Sequence, residues 1–314
     1  MHVGWAFVTE RAGDPAFASA WLKWGQAVVH AQALNLEVKV FCVAAEEAPL
    51  LAHRTEYHPR RHGFAVVVDR VLVPIPVRWG LILGDFANNL RSSLDHLAWA
   101  LVVRGRSPPD TLTPKQQGNI KFPIMDKRSE YNGELPSRLP GVVGPRDKAL
   151  VRASQPYLWG ARARHLHPLS VLRTVNNADK HRTIQPIWDF SDAESAYYEV
   201  TEFRDCVVSE RGHYVASGQL KADAEVAFIR VRKTGPEPSI EVRPCAEAEP
   251  VLDGSVPLEY WLENVTTWIA LLLREFADPA PEVTELGIDP DRLAVAVGRL
   301  PDSAHDTPSG PSTP

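Results

Sequence analysis

Cysteine is scarce and scattered in this chain. Cys42, Cys206 and Cys245 are the three thiols among 314 residues, too few and too far apart for a disulfide framework, and no Cys-x-x-Cys pair is present to hold zinc. A reducing, cytoplasmic setting is therefore expected. Long apolar runs are missing too. Even Val265 to Leu273, apolar apart from Thr266 and Thr267, is well short of the roughly 20 residues that a membrane-spanning helix needs, so no membrane partner is expected. Met1-His2-Val3-Gly4-Trp5 does not read as a basic region leading into an apolar run, and no secretory signal is expected. Gly-rich phosphate loops, dinucleotide fingerprints and Gly-x-Ser-x-Gly nucleophile turns are likewise absent, so no cofactor is implied. His165 and His167, with Asp179 or His181, offer imidazoles and carboxylates, but without a helix-spaced His-x-x-x-His or a Cys partner. No metal site is expected from them.

What is present is enough apolar material for a substantial core, 44% of the residues, and a charge that is unevenly spread. The overall −5 divides sharply: residues 101–182 hold 15 Lys and Arg against 6 Asp and Glu, a surplus of +9, which leaves −14 for the rest. A basic middle between acidic flanks is either a solvated surface with local ion pairs or an anion-binding face for phosphate, nucleotide or nucleic acid.

Apolar spacing divides the chain into elements. Phe17, Trp21, Trp24, Val28, Ala31 and Leu34 recur at helical intervals, which predicts a long N-terminal helix from Ala16 to about Glu47 with one break near Asn35. Phe64-Ala65-Val66-Val67-Val68 and Val71-Leu72-Val73 have strand character. A second helix over 79–103 buries Leu83, Phe86, Leu90, Leu94, Leu97 and Leu101 on one stripe. Residues 104–144, rich in Pro and Gly, read as a long surface connection with Phe122-Pro123-Ile124 as its single apolar element. Further helices are expected over 145–154, 168–180 and 257–277. Between 183 and 243 short β-branched runs predict one antiparallel sheet, with a hairpin at Lys233-Thr234-Gly235-Pro236. The expected architecture is α+β: a single domain over 1–277 with a helical core and a β-rich insertion at about 183–243. An acidic, Pro-rich, largely disordered tail is expected over 278–314.

Two polar signatures interrupt this pattern. Asp85, Asn88, Asn89, Arg91, Ser92, Asp95 and His96 lie on the helix over 79–103. Asn176, Asn177, Asp179, Lys180, His181 and Arg182 lie at the end of the helix over 168–180. Asn, Asp and Ser compete with the helical backbone for hydrogen bonds, and a buried polar group without a partner costs about 1–3 kcal/mol. Arg91 at the edge of the leucine stripe could reach Asp179, with Asn88 and Asn176 alongside. It could instead pair with Asp95 one turn on. Lys180, His181 and Arg182 suit a helix C-terminus and could also receive an anion.

Gly84 to Trp99, Phe122-Pro123-Ile124, Gln155-Pro156 and Asn176 to Arg182, in that order, resemble a group of bacterial proteins that carry an Asn-Leu-Arg-Ser-x-Leu-Asp-His segment followed by an Asn-x-Asp-Lys-His-Arg segment. That likeness implies no activity. The Arg-x4-His spacing of Arg91 and His96 is also similar to that of HEPN-type ribonucleases. The resemblance implies His96 as acid/base, Arg91 as phosphate holder, a homodimer and no metal. On a regular helix these two side chains diverge by about 140°. Two readings follow: a binding or interaction module whose basic segment takes an anionic ligand or partner, RNA included, or a metal-independent ribonuclease.

Overall fold

The computed structural model describes residues 15–46, 50–104, 112–141, 144–179, 184, 186–190, 197–215, 220–245, 248–252 and 256–277. Lys180, His181, Arg182 and the tail over 278–314 lie outside them. The chain is α+β, as expected. It divides into two compact units, one of Met1–Gly25, Asn89–Thr174 and Asn264–Pro314, the other of Gln26–Asn88 and Val175–Glu263. The boundaries fall within long helices.

Helix α1 spans Ala18–Glu46 without a break at Asn35, α2 spans Val77–Arg104, α6 spans Pro168–Asp179 and α7 spans Leu258–Ala277. The last three each follow one 3.6-residue apolar stripe, whereas α1 is apolar on more than one side, and on α2 the whole predicted set from Leu83 to Leu101 is buried. No helix among the described residues is long and apolar enough to cross a membrane.

In the first unit, polar side chains tie the helices together at backbone carbonyls. Trp24 Nε1 donates to the Thr266 carbonyl at 2.9 Å, and Ser93 Oγ, wholly buried, to that of Ala20 at 2.8 Å. The stretch over 104–144 is not only a surface connection. It contains α3 (Pro114–Asn119), opened by a capping box between Thr113 and Gln116, and α4 (Arg128–Arg138). Phe122, Pro123 and Ile124, between those helices, are buried. Helix α5 (Pro145–Ala153) and a run of short turns over 156–166 complete the unit.

The second unit holds every strand of the described residues, and all pairings are antiparallel. They form three sheets rather than one. β1 (Leu51–His58) and β2 (Gly63–Val71) join β6 (Glu225–Lys233) and β5 (Cys206–Val215) in the order β1-β2-β6-β5. β3 (Ile187–Phe190), β8 (Ala248–Leu252) and β9 (Val256–Pro257) form the second sheet, and β4 (Tyr197–Arg204) pairs with β7 (Ser239–Cys245). The 51–71 hairpin thus supplies half of the largest sheet. Gly63 permits the approach of β2 to β6, since a Cβ there would lie 2.4 Å from the Ile229 carbonyl oxygen.

The turn at Lys233–Pro236 does not close a hairpin, because β6 and β7 belong to different sheets. It is held by Asp205 instead, whose carbonyl accepts the Thr234 and Gly235 N–H groups and whose carboxylate accepts that of Glu237 at 3.0 Å. Asp205 adopts a left-handed conformation, φ 51°, at the corner between β4 and β5.

Candidate functional site

The first signature and the Phe122-Pro123-Ile124 segment meet within the first unit. Arg91 Nη2 donates to Asp95 Oδ1 at 2.7 Å and to the Phe122 carbonyl at 2.9 Å, while Nε donates to Asp95 Oδ2 at 3.3 Å. Asp95 Oδ1 in turn accepts the Phe122 N–H at 2.9 Å. The helix therefore grips both polar groups of one extended residue, as a neighbouring strand would. Arg91 thus takes the partner one turn on, the second of the two pairings open to it. Asp179 itself is exposed, and its carboxylate rests where Gly84 lacks a Cβ, a position a Cβ would crowd to 2.2 Å.

The rest of the extended segment is held in the same way. Gln155, wholly buried, donates from Nε2 to the Pro123 carbonyl at 3.0 Å and to that of Val151 at 2.8 Å, and accepts the Met125 N–H at 3.1 Å. Arg173 donates to the Ile124 carbonyl at 3.1 Å, the Tyr157 N–H to that of Met125 at 3.3 Å, and Arg164 to that of Asp126 at 3.2 Å. Every carbonyl from Phe122 to Asp126 is thus bound. A buried segment with no strand beside it requires this, because its peptide groups lose water on folding. Arg91→Ala leaves the Phe122 carbonyl unpaired and is expected to lower stability by about 2 kcal/mol in thermal or urea unfolding. His96→Ala should stay within about 0.5 kcal/mol of the wild type, because His96 is exposed.

The segment ends at Asp126, which pairs with Arg173 and accepts the Ser170 hydroxyl at 2.9 Å. Burial opposes ionisation of this carboxyl, but the bonds from Arg173 and Ser170 outweigh it and hold the group below its ordinary value. Beyond Asp126 an open cleft of about 450 Å³ is lined by Asp126, Lys127, Arg128, Arg152, Arg164 and the 157–160 turn. Four cations face one carboxylate, and that carboxylate is already neutralised by Arg173. Among the described residues, Arg128 and Arg152 meet no carboxylate within ion-pair distance, whereas Lys127 pairs with Glu130 at 3.2 Å. Helix α4 begins here, and Lys127 gives it no side-chain cap. Its N-terminal dipole adds to the positive potential.

Comparison with protein-family models, curated protein sequences and solved structures finds no match to this chain.

Asn89 accepts a hydrogen bond from Lys23 at 3.4 Å, Ser92 is half-buried, and Asp85 and Asn88 are exposed. Asn176 is buried and Asn177 exposed. Among the described residues no group of three or more His, Cys, Asp or Glu is placed to hold a metal ion. Sequence reasoning missed Asp126, Arg152, Arg164 and Arg173. The available signal was the charge surplus over 101–182, which identifies the region without selecting residues.

Behind the turns that line the cleft, His167 is wholly buried between Trp159 and Trp268, with ring centroids 4.6 and 4.9 Å away. Its Nδ1 accepts the Leu169 N–H at 3.1 Å and so caps the start of α6. Burial pushes its pKa down to about 3.

Proposed function

We propose that this chain is a binding module for a phosphorylated ligand, taken up in the cleft at Lys127, Arg128, Arg152 and Arg164. The observation that carries this reading is the pair of arginines, Arg128 and Arg152, that share a concave surface and meet no carboxylate among the described residues. Guanidinium groups bind phosphate oxygens in bidentate fashion, and a recess excludes part of the competing water. Arg164, held by the Asp126 carbonyl, is pre-positioned as a third contact. Tyr157 gives the wall an aromatic surface beside these charges. In this reading the polar signature on α2 is scaffold: Arg91 and Asp95 fix Phe122, the gripped segment fixes Asp126 and Lys127, and these border the cleft.

Titration with inorganic pyrophosphate and with a 5′-phosphorylated oligoribonucleotide tests it. Binding should saturate, weaken as salt rises, and fall at least tenfold in Arg128→Glu and in Arg152→Glu with little change in melting temperature. Absence of saturable binding to both probes would overturn the reading. RNA cleavage in EDTA that disappears in His96→Ala would replace it with the metal-independent ribonuclease.

A further inference from the structure

Helix α1 carries two apolar seams on opposite sides. Ala27, Ala31, Leu34 and Val38, spaced alternately by four and three residues, are buried. Displaced from these by two residues, or about 200° around the helix, runs a second set: Val29, Ala33, Leu36, Val40 and Val43. Their spacing is four and three in strict alternation, and all five are exposed, by 44% at Val29 and up to 66% at Leu36. A surface helix normally turns one apolar stripe inward and polar residues outward. This one has a heptad seam that the described residues leave uncovered.

We propose that this outer seam is the interface of a homodimer in which α1 packs against α1 of a second copy. The spacing argues for a like partner. A 3-4 seam is filled by knobs from another 3-4 seam, and a two-fold axis places the same patch on both sides. The flanking positions permit it, since His30, Gln32, Glu37 and Lys39 include one acid and one fixed cation rather than a wall of one sign. The area suffices as well. Val77 and Leu81 at the start of α2 are also exposed, and the Arg78–Glu37 ion pair at 2.8 Å brings that turn alongside α1. Together the exposed side chains offer roughly 600 Å² of apolar surface, at the upper end of what monomers leave bare, and two copies would bury about 1,200 Å², the size at which specific interfaces begin.

Light scattering on the full chain during size exclusion, at tens of micromolar, reads the result directly. The wild type should elute at twice its 34.8 kDa, and Leu36→Glu/Val40→Glu should elute at the single mass with unchanged far-ultraviolet circular dichroism. Should that variant misfold, the milder Leu36→Ser should weaken dimerisation at least tenfold in sedimentation equilibrium. A monomeric wild type overturns the proposal, including the case in which another segment of the same chain covers the seam. A folded Leu36→Glu/Val40→Glu variant that stays dimeric overturns it as well, since the interface would then lie elsewhere.

Discussion

Gln155→Leu should cost about 2–5 kcal/mol. The replacement is close in volume and the site is wholly buried, so the cost is one of lost partners rather than of packing. Without the amide, the Met125 N–H loses its acceptor and the Pro123 carbonyl loses its donor, and each buried unpaired group costs about 1–3 kcal/mol. Gln155→Glu should not rescue the protein. Glu retains an acceptor for Met125, but it turns a carboxylate oxygen toward the Pro123 and Val151 carbonyls where Nε2 donated. Urea unfolding of both variants beside the wild type checks this. A loss below about 1 kcal/mol for Gln155→Leu would mean that the extended segment is held some other way.

Acid should weaken the protein through His167, and the sign follows from its surroundings. An unfolded His takes a proton near pH 6.5, whereas the folded one resists until about pH 3. Between those values the unfolded chain binds more protons, so the contribution of His167 is complete above about pH 6.5 and declines as the pH falls toward 3. The integrated loss between pH 8 and pH 5 is about 2 kcal/mol. Three features oppose the proton in the folded chain: two indole rings around the imidazole, the use of Nδ1 as acceptor for the Leu169 N–H, and the positive end of the α6 dipole. His167→Asn keeps a capping oxygen and cannot titrate. It should be less stable than the wild type at pH 8, and the gap should narrow by about 2 kcal/mol at pH 5. A gap independent of pH would show that His167 does not carry the acid sensitivity.

The contrast between α2 and the segment it grips shows which relations a sequence displays. Leu83 to Leu101 announce their helix because burial on a helix repeats every 3.6 residues, and Arg91–Asp95 is visible as an i,i+4 pair. The Phe122 carbonyl that both serve leaves no such trace, because a side chain bonded to a backbone group 31 residues away imposes no spacing and no particular residue type on its partner. For the same reason Asp126 and Arg173 look like ordinary surface charges until the fold brings them together. The Lys233–Pro236 turn misleads in a different way. Its residues favour reversal, but which sheets the flanking strands join is decided by Asp205 and by long-range pairing. Helix α1 was legible as a helix, and its second seam is equally written in the spacing of Val29, Leu36 and Val43. Only the burial of the opposite face shows which seam is spare.

We propose that phosphate-bearing ligands are taken up at the basic cleft while the α2 signature serves as scaffold. Amide chemical-shift mapping during a titration with inorganic pyrophosphate tests it most directly, because it reports location as well as binding. Saturable shifts should concentrate at Lys127, Arg128, Arg152 and residues 157–164, with His96 and its neighbours unmoved. Shifts centred on His96, or none at any residue, would contradict it.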